Sequence, residues 1–299
     1  MTLSVKDYSL KYNGNTILDK VSFKLEKGRI LGIIGPSGAG KTSLIKALVG
    51  IYASKSSEIS LDNEGIYDNR KVKEKIAFVP DEQVSFYLIT VTEAINYYKS
   101  IYKNFNEDRF YKLNKIFKIP INKRFMQLSK GMKARVNLML ALSIDSEVII
   151  LDEPTSGLDP ILKKKVIEII GKEIQDKNKS IIISSHNLSD LEQVCDDILI
   201  ISKGTVNYYN SLEKLRKNIK KIQIAFDKPI YEEDLKIEGV TSIKSVGRVF
   251  TLITENCNED FIKKLESKGP LFIEEIDLSL EEIFISKLGG GEDYEEIFK

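Results

Sequence analysis

Apolar and polar residues alternate along "LSVKDYSLKY" and "VSFKLEKG", and the turn-rich "NGNT" separates them. A period of two broken by a turn predicts an N-terminal hairpin or small antiparallel sheet. "ILGII" follows, apolar without interruption, as a strand buried on both faces would be. "KTSLIKALVGI" then places leucine and isoleucine at helical spacing, so the local order is strand, loop, helix. Two more runs, "VIILD" (Val148 to Asp152) and "SIIIS" (Ser180 to Ser184), predict buried strands, each preceded by a helical stretch. Strands alternating with helices imply a mostly parallel sheet.

From about Thr90 to Ser143 the helical period dominates and predicts a helical subdomain, about 90–143, inserted into the sheet domain. Thr90 and Glu93 have the spacing of a capping box, and Ala94, Ile95, Tyr98, Ile101 and Tyr102 fall on one broad face. After "ILIISKGTVNYYN" the pattern changes. "IKKIQIAF", "TSIKSVGRVFTLIT" and "LFIEEI" read as strands, "NEDFIKKLESKG" and "SLEEIFISKL" as helices. The predicted division is 1–215 for the larger domain and 216–299 for a small α+β accessory domain. Ser279 and Glu282 form a second capping box, with Leu280, Ile283, Phe284 and Leu288 as an apolar stripe packing on its own domain. "GGGEDYEEIFK" closes the chain as an acidic tail, predicted to be mobile.

Composition narrows the function. In 299 residues, 45 lysines and arginines face 44 acidic residues, a net charge of +1, so no global field favours nucleic acid or an anionic membrane. Cys195 and Cys257, far apart in sequence, resemble neither a disulfide framework nor a metal cluster and read as plain buried thiols of a reducing cytosol. No stretch approaches the roughly 18 apolar residues of a membrane span, and the N-terminus lacks a signal peptide's apolar run, so a soluble chain is expected.

The candidate chemistry starts between "RILGII" and the first helix, at Gly35, Pro36, Ser37, Gly38, Ala39, Gly40, Lys41, Thr42 and Ser43. Gly-x-x-x-x-Gly-Lys-Thr after a buried strand and opening a helix is a phosphate-binding P-loop. Its glycines let backbone amides converge on phosphate oxygens, the helix start adds partial positive charge, and Lys41 brings a full one to the β- and γ-phosphates. Thr42 is assigned to Mg²⁺ and Ser43 to the α-phosphate. Hydrolysis also needs a metal-orienting carboxylate and a base for water. Asp152 ends a buried strand at the ligand-binding edge of the sheet, and Glu153 beside it is placed to polarise water. The fold class is α/β: a P-loop NTPase with a mostly parallel core sheet, an N-terminal antiparallel β-subdomain, the helical insert and the C-terminal α+β unit.

These residues, in this order over roughly Leu3 to Tyr209, resemble the nucleotide-binding subunit of ATP-binding cassette (ABC) transporters. "QLSKGM" resembles the family's signature, "SGLDP" its D-loop with Asp159, and "SSHNL" supplies the switch histidine, His186. By position alone, this sole histidine at a strand end reads as structural; the resemblance implies a γ-phosphate sensor that holds the attacking water, with Glu153 as the main base. It implies that Tyr12 stacks on adenine. It also implies that Ser129, Lys130 and Gly131, at the start of a helix, cap ATP held by a partner cassette, giving a head-to-tail dimer.

Two positions depart from the family pattern. Lys130 and Met132 replace a glycine and a glutamine, and Lys130 either adds charge near the partner's phosphates or points to solvent. Asp81 takes the place of the Q-loop glutamine and can ligate Mg²⁺ directly or through water, while Gln83 is the alternative two residues on. The resemblance implies ATP and Mg²⁺ as ligands and separate transmembrane permease subunits, met by the helical insert and the region from Asp81 to Tyr87. That places the cassette in the cytoplasm, peripheral on the inner membrane face. Both phosphate sites are complete in sequence, which favours a homodimer over a heterodimer. The short variant motifs and C-terminal unit are similar to cassettes of bacterial exporters. The rival class, a soluble ATPase remodelling nucleic acid or ribosomes, lacks its long coiled coils, second cassette or basic stripe here. A non-hydrolysing nucleotide module conflicts with retention of Lys41, Asp152, Glu153 and His186.

Overall fold

In the computed structural model, β1 (Thr2–Tyr12) and β2 (Asn15–Glu26) form the N-terminal hairpin that the alternation predicts. They turn through Asn13 and Gly14, both at positive φ (48° and 82°), the twist a two-residue hairpin favours. Leu3, Val5 and Tyr8 on β1 and Leu18, Val21, Phe23 and Leu25 on β2 are buried, with exposed polar residues between them. Two short strands, β4 (Ile59–Leu61) and β5 (Glu64–Gly65), complete a sheet of order β2-β1-β4-β5. The structure describes residues 2–55, 57–81, 86–177 and 179–283, with only the backbone of 176 and 177. Gln83, Phe284, Leu288 and the acidic tail therefore lie outside the described residues.

The second sheet carries the site. It contains β3 (Ile30–Ile34), β6 (Ile76–Val79), β7 (Val148–Asp152), β8 (Ser180–Ser184), β9 (Asp197–Ser202) and β10 (Thr205–Ser211), in the order β10-β9-β3-β8-β7-β6. From β9 to β6 every pairing is parallel. All five residues of β3, β7 and β8 are buried, which is why these strands show no alternation. Burying each of their isoleucines and leucines contributes about 1.5–3 kcal/mol. Arg29, just before β3, grips Asp197 at the start of β9 through two hydrogen bonds of 2.6 Å, which fixes these neighbours in register.

Helices α1 (Lys41–Leu48), α2 (Arg70–Lys73), α3 (Val91–Ile101), α4 (Glu107–Phe117), α5 (Lys130–Leu142), α6 (Pro160–Lys177) and α7 (Leu188–Glu192) belong to the same compact unit, which runs to Tyr209. The capping box at α3 forms in full: Thr90 Oγ1 accepts from the Glu93 amide at 3.1 Å, and the Thr90 amide donates to Glu93 at 2.7 Å. Ala94 and Ile95 are buried as the pattern predicts, but Ile101 is exposed. The helix ends there, and Tyr102 turns to an extended backbone, so the predicted face stops a turn early. Arg109 on α4 pairs with the buried carboxylate of Glu173 on α6, tying the inserted helices to the sheet layer.

The second unit begins at Asn210. It contains α8 (Leu212–Asn218), β11 (Lys220–Ala225), β12 (Val240–Val246), β13 (Val249–Thr254), α9 (Glu259–Glu266) and β14 (Phe272–Ile276). Its antiparallel sheet has the order β12-β13-β11-β14, and Ile222, Ile224, Phe250, Leu252, Phe261 and Leu265 contribute to its core. The Ser279–Glu282 capping box also forms, Glu282 pairs with Lys221 at 2.8 Å, and Leu280 and Ile283 are fully buried. Cys195 is a buried free thiol whose pKa burial pushes well up; Cys257 is free but only half-buried, less than predicted. Among the described residues, no helix is long and apolar enough to cross a membrane.

Candidate functional site

The loop from Gly35 to Gly40 joins β3 to α1 at the C-terminal edge of the parallel sheet. Two of its glycines are obligatory. A Cβ at Gly35 would sit 2.2 Å from the Ile201 carbonyl oxygen, and Gly40 adopts φ +104° as the residue before the helix. Pro36, Ser37, Gly38 and Ala39 fill the turn, closed by a hydrogen bond from the Ala39 amide to the Pro36 carbonyl. Thr42 and Ser43 occupy the first turn of α1, where backbone amides lack helical partners. The Lys41 ammonium curls back over the loop, donating to the carbonyls of Gly35 at 2.7 Å and Pro36 at 3.0 Å. Burial lowers its pKa, and the charges of Glu153 and Asp152 oppose that shift. A cation held by carbonyls at a helix start marks a place where an anion would be stabilised.

Asp152 ends β7, buried, two strands from the loop. Burial is the main cause that raises its pKa. Hydrogen bonds from Ser184 and Thr42 oppose the shift, Asp81 adds to it, and Lys41 lowers it. Thr42 thus bonds to Asp152, and Asp81 lies near enough for its charge to act on the same carboxyl. A hydroxyl and two carboxylates, one buried and incompletely neutralised by Lys41, are a hard-oxygen donor set that fits Mg²⁺. Glu153 follows at φ +49°, a left-handed conformation uncommon for a side-chain-bearing residue. Its carboxylate meets His186 Nδ1 at 2.7 Å, so the predicted base and the sole histidine are in direct contact. Behind them, Thr155 donates to the buried carboxylate of Asp190 on α7 at 2.9 Å, tying the turn after β7 to the segment that carries His186.

Ser129 caps α5, accepting from the Met132 amide at 3.2 Å, and Lys130 and Gly131 form the first turn. Gly131 packs against the "SGLD" turn so closely that a Cβ would lie 3.1 Å from the Gly157 carbonyl oxygen. Asp159 caps α6 through the amides of Ile161 and Leu162. Tyr12 projects from the end of β1, 60% exposed, as a ring free to stack would. None of Ser129, Lys130, Gly131, Asp159 and Tyr12 is in hydrogen-bond contact with the Lys41–Asp152–Glu153 cluster in the described interactions.

Sequence reasoning missed two features. Ser184 bonds to both Asp152 and Glu153; its one signal was a polar residue ending an apolar strand. The other is a cavity of about 520 Å³ beside α3, walled by Phe78, Phe86, Tyr97, Tyr98, Tyr102 and Phe125, with Lys73 at its edge. Phe86 is central, with ring centroids 5.6 Å from both Tyr97 and Phe125. Burial pushes the pKa of the Tyr98 phenol well up.

Comparison with known proteins agrees with this fold. The family model described as "ABC transporter" matches residues 18–156, and one described as "AAA domain, putative AbiEii toxin, Type IV TA system" matches 124–190. The ABC transporter ATP-binding protein YtrB of Bacillus subtilis is 28% identical over 96% of this chain and 98% of its own length. The ABC-type transporter ATP-binding protein EcsA of the same organism is 30% identical over 75% of this chain and 93% of its own. Among solved structures, an ATP-binding subunit of an ABC transporter superposes with TM-score 0.66 at 27% identity, covering 73% of this chain and 92% of that one.

Proposed function

The chain belongs to the ABC transporter ATP-binding proteins, a family that hydrolyses ATP, and from that premise we propose that it powers export of a substrate through separate transmembrane subunits. The observation that carries the reading is the cluster of Lys41, Thr42, Asp152, Glu153 and His186 at one edge of the parallel sheet.

The phosphates of ATP lie over Gly35 to Ser43, where the α1 amides meet them and Lys41 exchanges its loop carbonyls for phosphate oxygens. Tyr12 stacks on the adenine. Thr42 and Asp152, with Asp81 nearby, would hold Mg²⁺, which would supply positive charge to offset the charge developing on the transferred phosphate. Glu153 takes a proton from the attacking water, and its contact with His186 sets the carboxylate's direction. His186 turns its ring to the γ-phosphate and registers its presence. Ser129, Lys130 and Gly131 of a second cassette, with Asp159 beside them, close over the same nucleotide. Loss of the γ-phosphate loosens that interface and converts chemistry into motion.

We assign the permease contact to the aromatic cavity beside α3, whose neighbours Tyr87 and Leu88 are exposed apolar residues of the segment following Asp81. This contact would hold the cassette at the inner membrane face. Outward transport rests on the likeness of the variant signature and C-terminal unit to exporter cassettes. Remodelling of nucleic acid or ribosomes finds no support in relatives named as transporter ATP-binding proteins.

Phosphate release from the purified chain tests the assignment. Glu153→Gln is expected to lose turnover by about 10²–10⁴-fold while still binding ATP. Turnover equal to wild type would remove Glu153 from the role of base.

A further inference from the structure

Ser184 ends β8 directly opposite Asp152 in the parallel register. Its hydroxyl donates to Asp152 Oδ1 at 2.6 Å and accepts from the Glu153 amide at 3.1 Å. The same amide reaches the Ser184 carbonyl at 3.2 Å. The side chain is fully buried. A hydroxyl has one hydrogen, and donating it to a carboxylate leaves its lone pairs for the amide, so the bonding direction is fixed. Buried hydroxyls in apolar strands require partners, and here both belong to the proposed ATPase machinery. The second partner lies in the Glu153 turn at φ +49°, a backbone that persists only where its surroundings hold it.

We propose that Ser184 is a positioning residue for ATP hydrolysis: one hydroxyl aims the Asp152 carboxylate at the cation and pins the Glu153 turn so that its side chain faces the water. The inference rests on the assignment of Asp152 and Glu153 above. It gives the two carboxylates a common support, so that displacing one displaces the other. Continuity along the chain extends this to the histidine, because Ser185 and His186 follow without a break and His186 returns to Glu153. Strand β8 thereby organises three functional groups from one end. A serine that merely filled the strand end would influence folding alone. It would leave the turnover of each folded molecule and its cation affinity untouched.

The test uses the full chain as wild type, Ser184→Ala, Ser184→Thr and Glu153→Gln. Turnover and KM for ATP are measured, with Mn²⁺ affinity of the ADP-loaded protein read by electron paramagnetic resonance. Ser184→Ala is expected to lose about 10- to 100-fold in kcat and a similar factor in Mn²⁺ affinity, the usual effect of losing a ligand's outer support. KM for ATP stays near wild type, because the phosphate loop is intact. Ser184→Thr retains the hydroxyl and recovers both quantities. If Ser184→Ala does not fold, Ser184→Cys, similar in shape with weaker hydrogen bonds, is judged by the same criteria. Wild-type kcat and Mn²⁺ affinity in the alanine variant, beside an inactive Glu153→Gln, would overturn the role of Ser184 and leave the site standing. An active Glu153→Gln would overturn both.

Discussion

Asp152 carries a charge that folding disfavours. Burial raises its pKa more than Ser184, Thr42 and Lys41 lower it, so folding makes this carboxyl easier to protonate than in the unfolded chain. For an acid whose folded pKa is raised, the native state binds more protons than the unfolded one, and stability falls as pH rises through the carboxyl's titration. Asp152→Asn removes that titration. Its stability relative to wild type is expected to grow as pH rises above the ordinary carboxylate range, read by denaturant unfolding, while ATP turnover is lost. A gap that is flat with pH would show that the burial of this charge does not matter to the fold. At this scale the sequence was legible where chemistry fixes residue type and spacing: Gly35, Gly40, Lys41 and the Asp152–Glu153 pair. Ser184 and the Thr155–Asp190 bond were not legible, because serine, threonine and aspartate are common at strand and helix ends. Only the neighbouring strand and turn reveal what those side chains touch.

Among the elements, the strands β3, β7 and β8 coincide with their apolar runs because burial on both faces leaves polar residues only at the strand ends. The three-residue β4 and four-residue α2 and β6 were not singled out, since so few positions define no period. The capping box at Thr90 was legible and has a measurable consequence. Thr90→Ala is expected to destabilise the chain by about 1 kcal/mol in urea unfolding, with little change in ATP turnover. An unchanged midpoint would show that α3 does not depend on its cap. The proposed permease contact has its own test. Leu88, 70% exposed, is expected as Leu88→Glu to abolish co-purification with membrane subunits from the native cell. Full retention of those subunits would move the permease contact elsewhere.

For the whole molecule, the proposed nucleotide site is divided between the Lys41 loop and the Ser129 helix start. The P-loop cluster and the Ser129 helix start do not meet in the described hydrogen bonds of one chain, and each presents amides at a helix beginning. A second copy would bring the Ser129 end of one cassette over the phosphates held by the other. The measurement that tests this most directly is the sedimentation mass of Glu153→Gln with saturating ATP, alone and combined with Ser129→Arg. A shared nucleotide predicts a dimer for the single variant, a monomer that still binds ATP for the double variant, and monomers for both without ATP. An equally stable ATP-bound dimer in the double variant would contradict it.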